Sequence, residues 1–176
     1  TAGSLAEDQT EQEFVTSENK SITDAAAARE KIQSLGLRDD TMEYQEQPLR
    51  WLKDRRAQFL PQLIEGLDNE KTRIALGCLQ VLDGMTESQD FLQALLRIAG
   101  NHEHPIHKEA TLSLGPFAQN DPARKVLEKA LIDTVTFDDP QQRATIAVAL
   151  DRKAEAVNLV APLLNPEKEE HELIRL

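Results

Sequence analysis

Three nine-residue stretches of this chain align with one another at nearly constant spacing, and that repetition limits the fold more than any other feature. Residues 71–79, 106–114 and 142–150 end on Leu79, Leu114 and Leu150, which are 35 and 36 residues apart. A small residue precedes each leucine (Cys78, Ser113, Ala149), and Ala75, Ala110 and Ile146 lie three places earlier. Small side chains let neighbouring helices approach closely, while the leucine fills the space between layers. Each helix of this kind follows another with its own apolar stripe: Leu60, Leu63, Ile64 and Leu67; Leu92, Leu95, Leu96 and Ala99; Val126, Leu127, Ala130 and Leu131. Leu159, Val160, Leu163 and Leu164 begin a fourth copy. The stripes advance by three or four, the helical period.

Turn formers separate the two helices of each pair: Asp68-Asn69, the stretch 101–105, Asp138-Asp139-Pro140 and Asn165-Pro166. The only strand-like run, Thr134 to Phe137, is too short to compete. The expected fold is all-α, a right-handed α-α superhelix of three to four helical hairpins, in which each hairpin buries its apolar face against its neighbours. Upstream, residues 1–20 hold five acidic side chains against Lys20 and read as a flexible tail, which cannot offset its ordering entropy. Residues 21–56 read as an N-terminal helical extension: one helix from a Ser21 or Thr23 cap to Gly36, a polar connector over 37–47, and a second helix from Pro48 to about residue 58. Residues 57–176 form the repeat domain.

The repeats resemble the HEAT-like family. Ala110-Thr111-Leu112-Ser113-Leu114-Gly115 carries the likeness best, with Gln80 and Asp151 in place of that glycine in the flanking copies. The basic residue favoured early in the second helix of such repeats stands here as Thr72, His107 and Arg143. Tetratricopeptide repeats have a similar period, but their aromatic landmarks are missing, since Tyr44 and Trp51 both lie upstream. The resemblance implies an armadillo-type solenoid whose second helices line the concave side.

Charge and composition narrow the partners. Acidic residues number 31 against 20 basic ones, a net charge of −11, which opposes a surface built to neutralise phosphate. A DNA glycosylase, one enzyme class with HEAT-like repeats, would need a basic groove with aromatic side chains. Beyond residue 48 the aromatics are only Trp51, Phe59, Phe91, Phe117 and Phe137. No apolar run approaches membrane-spanning length. Cys78 is the only cysteine, so no internal disulfide is possible, and a core role is expected of it. The chain opens on Thr1 and not on Met, as a removed signal peptide or a trimmed start would leave it, so the expected compartment is cytoplasmic, or secreted or periplasmic where a signal peptide was removed.

Candidate sites are few. His102, His104 and His107 are the densest set of metal-ligand types, but three imidazoles without a cysteine fall short of a structural zinc site, and solvated turn residues without a cofactor are the expectation. Glu169, Glu170, His171 and Glu172 lack the second histidine of a zinc helix. Arg50, Lys53, Arg55 and Arg56 make a basic patch around Trp51, read as a solvated helix side whose aliphatic stems cover the first repeat. No catalytic set stands out. The resulting expectation is a monomeric, non-catalytic adaptor that holds a partner protein on its second helices. The strip would comprise Thr72, Arg73 and Gln80, then His107, Lys108 and Thr111, then Gln142, Arg143 and Thr145. A bilin-lyase-like enzyme or accessory factor is the alternative implied by the resemblance.

Overall fold

The computed structural model describes residues 24–37 and 46–164. Among them all regular elements are helical: α1 (24–34), then α2 (Glu46–Asp54), α3 (Leu60–Leu67), α4 (Thr72–Leu82), α5 (Gln89–Ala99), α6 (His107–Leu112), α7 (Asp121–Ile132), α8 (Pro140–Ala149) and α9 (Lys153–Val160). Short 3-10 turns follow at Gly115–Phe117 and Ala161–Leu164. The tail over 1–20, the Ser21 and Thr23 cap and the stretch from Asn165 through Glu169, Glu170, His171 and Glu172 to Leu176 lie outside the described residues.

The chain divides into two compact units, Thr1–Leu82 and Asp83–Leu176. The division falls after α4. In the first unit α4 packs against both α2 and α3. Its interior is formed by Ala28, Ile32, Leu35, Leu52, Leu63, Leu67, Ile74 and Cys78, all buried. The tightest approach lies at Gly66 on α3. A methyl group there would collide with Cys78 Sγ and sit 3.4 Å from Ile32 Cγ2. Burial pushes the Cys78 thiol up to about 12, so at neutral pH it is an uncharged, compact apolar group.

In the second unit α5 pairs with α6, α7 with α8, and α8 with α9. Like helices also touch, α5 against α7 and α6 against α8. Helix starts are set by side chains that satisfy free amides: Ser88 Oγ accepts from Phe91 N at 3.2 Å, Asn120 Oδ1 from Ala123 N at 3.4 Å and Asp139 Oδ1 from Gln141 N at 2.8 Å. Pro140 then occupies the first helical position, where its missing N–H costs nothing.

Three local expectations are corrected. The second helix begins at Glu46 and ends at Asp54, because Arg55 N turns back to Leu52 O and the chain tightens before α3. In the middle copy, α6 stops at Leu112, since Pro116 cannot donate a helical hydrogen bond and the chain continues as a 3-10 turn. At the end of the apolar stripe on α9 and the following turn, Leu163 and Leu164 are 52 % and 78 % exposed instead of buried.

At the α8–α9 junction Asp151 takes a backbone conformation that glycine adopts at less cost. Arg152 N donates to Ala147 O and Asp151 N to Val148 O, the paired bonds of a Schellman motif. Asp151 therefore takes φ 61°, in the left-handed region. Asp151→Gly is expected to raise stability by about 0.5–1 kcal/mol in urea unfolding. Gly66→Ala should do the opposite. Helix propensity alone would gain about 1 kcal/mol, yet the collision with a fully buried thiol costs about 1–3 kcal/mol. A Cys78→Ala background should recover most of the loss, and a double-mutant cycle with no coupling would refute the contact.

Candidate functional site

The densest group of unusual side chains lies in the second unit around α6. This helix is boxed by α5, α7 and α8, so two adjacent rows of its residues face inward. Ile106, Ala110 and Leu114 form one row, fully buried; His107 and Thr111 form the other, 7 % and 1 % exposed. The expectation of a solvated His107 on a polar strip is thus overturned, and Thr111 leaves the strip with it. Three packed helices leave a six-residue helix too little outward face for either residue.

Thr111 satisfies itself by donating its hydroxyl to the His107 carbonyl at 2.9 Å. His107 does not. Both its ring nitrogens are buried without a hydrogen-bond partner among the described residues. The carbonyls of Ile98 and Ala99 lie near enough to favour the protonated ring, but neither makes a hydrogen bond with it. Burial is the larger effect and, helped by His102, it holds the ring below its ordinary pKa of 6.5. The nearby Asp133 charge pulls weakly the other way.

His107 borders a partly open cavity of about 90 Å³ between the end of α5, α6 and α7. Its apolar wall consists of Ala99, Val126, Ala130 and Phe137; its polar wall adds His102, Thr111, Lys129 and Asp133. The His102 and His107 rings lie 4.6 Å apart between centroids, and Phe137 stands 6.2 Å from His107. Asp133 is already engaged: its Oδ1 accepts from Val135 N at 3.2 Å and Thr136 N at 3.0 Å. The Thr136 amide and hydroxyl hold its carboxyl below the ordinary 3.8. These two bonds fold 134–137 into a turn instead of a strand and bring Phe137, 1 % exposed, into the core.

His104 stands apart, with Nδ1 facing Ile106 N at 3.4 Å. Among the described residues no group of three or more His, Cys, Asp or Glu side chains is placed to hold a metal ion. The remaining strip residues are scattered by unit and by partner. Thr72 and Gln80 are exposed on α4 and Arg73 is half-buried there. In the second unit Lys108 pairs with Asp138 at 3.6 Å, and Arg143 Nε donates to the Leu131 carbonyl at 3.3 Å. Gln142 is half-buried and Thr145 exposed. In the basic patch, Arg50 and Lys53 are exposed and Arg56 half-buried. Arg55 lies 4.8 Å over the Trp51 ring, and Trp51 stacks on Phe59 at 5.3 Å.

Lys129, Asp133 and Phe137 escape a sequence reading of the site. Asp133 and Phe137 fall in a turn, and nothing in a helical period marks Lys129 apart from its neighbours. Among the described residues no helix is long and apolar enough to cross a membrane. No protein-family model, curated protein or solved structure matches this chain.

The depressed His107 pKa ties stability to pH. Between the folded value and 6.5 the unfolded chain binds the additional proton, so stability rises with pH across that window and is lost as pH falls through it. Asp133 contributes in the same direction, but only as pH falls below 3.8. Urea unfolding at a series of pH values should show the upper window in the native protein and a flatter profile in His107→Gln. An unchanged profile in the variant would assign the slope to other groups.

Proposed function

We propose that this chain is a non-catalytic protein-interaction module, in which HEAT-like hairpins stack as an α-solenoid and the second helices present the binding face. The observation that carries this reading is the layering in the second unit, where first helix lies against first helix and second against second. The contact face is centred on α8. Thr145 is exposed there, and Val148 and Val157 are 57 % and 62 % exposed on adjoining helices. With Ala144, Ala156 and Lys153 they line an open, mainly apolar groove. Apolar side chains clustered on two neighbouring helices, with a lysine at the edge, suit an amphipathic partner segment carrying carboxylates.

A photo-activated cross-linking residue placed at Thr145 should capture a partner in the native source, while the same residue at Lys125, exposed on α7, should not. Introducing carboxylates through Val148→Asp and Val157→Asp should weaken that capture at least tenfold, by about 1.4 kcal/mol or more. Equal capture from both positions, or capture indifferent to the two aspartates, would reject the face.

A further inference from the structure

We infer that the cavity beside His107 is a binding site for a small monocarboxylate of about two to four carbons. The inference is independent of partner binding on α8. It starts from a buried side chain with unmet hydrogen bonding: His107 is 7 % exposed, and neither ring nitrogen has a partner. An unsatisfied buried polar group is costly, and a native structure keeps one where something else meets the need.

Cavity chemistry selects the ligand. The Thr111 hydroxyl proton is spent on the His107 carbonyl, and Asp133 Oδ1 is spent on two backbone amides. Of the groups left to meet a ligand, the His107 ring N–H, His102 and the Lys129 ammonium can donate, against the one charge of Asp133, whose Oδ1 is held by two backbone amides. These donors call for an anionic acceptor. A volume of about 90 Å³ compares with the roughly 150 Å³ that admits benzene in an engineered cavity, so the ligand has only a few heavy atoms. Ala99, Val126, Ala130 and Phe137 supply an apolar lining for a short alkyl chain. Sulfate and phosphate fit this lining poorly, since an all-polar ion leaves the apolar wall uncovered and loses its own hydration. A short-chain carboxylate matches both ends of the cavity.

Occupancy is linked to protonation. A bound carboxylate opposes the desolvation that keeps the ring neutral and draws a proton onto it. The titratable and charged groups around His107 are His102, from the segment after α5, Lys129 on α7 and Asp133 just beyond its end. Binding therefore tightens as pH falls from the raised pKa of the occupied His107 toward its value in the empty site, below 6.5, with Asp133 ionised throughout.

The test uses the intact chain labelled with nitrogen-15 and titrated with sodium propionate, read through the imidazole nitrogens. Propionate is expected to move the His107 ring signals to saturation and to raise the His107 pKa. Propionamide and an equal ionic strength of chloride should not. His107→Gln should weaken propionate binding at least about tenfold. If that variant does not fold, Val126→Phe narrows the cavity from its apolar wall and should weaken binding without touching the ring. No saturable change, meaning that water alone fills the cavity, overturns the assignment. So does an equal response to propionamide or chloride, or full affinity in the variant that folds.

Discussion

Close approach of helix backbones through small side chains is the constraint on which each unit depends. In the first unit Gly66 lies against Cys78, with space for nothing larger than hydrogen, and α3 and α4 can therefore bring Leu63, Leu67, Ile74 and Leu82 into one interior. In the second, the 3-10 turn after α6 rests on α8, where a methyl on Gly115 would meet Ala149 Cβ at 3.5 Å, an ordinary contact. Native interiors are packed at crystal-like density, and a single methylene at such a seam is felt. The periodic small residues are the sequence trace of this contact. Cys78 belongs to it as a spacer, and the chemistry of its thiol is suppressed by the same burial.

The site follows from that packing. Pro116 cuts α6 short, and a short helix enclosed by three others must turn polar residues inward. Thr111 can close a hydrogen bond within its own helix; an imidazole cannot. The Asp133 turn then delivers Phe137 to the opposite wall and leaves a small cavity between them. Local rules are thus broken at α6, as they are at Asp151 and at the exposed Leu163 and Leu164, but only here beside a cavity lined by titratable groups. Such conflicts gather where a molecule binds something.

Much of the helical skeleton was legible. Asp139 caps α8 within the turn that Asp138-Asp139-Pro140 announces, and the apolar stripes of 60–67, 92–99 and 126–131 fall on α3, α5 and α7. The glycine missing from the third copy is also meaningful, because Asp151 adopts the left-handed backbone that a glycine would take without strain. The aligned copies mislead in one respect. Thr72, His107 and Arg143 hold the same place in the repeat, yet Thr72 is exposed, Arg143 half-buried and His107 enclosed. A period records which residues share a helix face. How many neighbours that helix has lies outside it.

The sequence by itself determined the all-helical class and the apolar faces of α3, α5 and α7, since periodicity and side-chain volume act over a few neighbouring residues. Tertiary structure alone decided that the chain divides after Leu82, that His107 loses its water, and that Lys129, Asp133 and Phe137 meet it across a cavity. Those outcomes depend on which helices enclose α6, a matter of contacts between distant segments that no local spacing encodes.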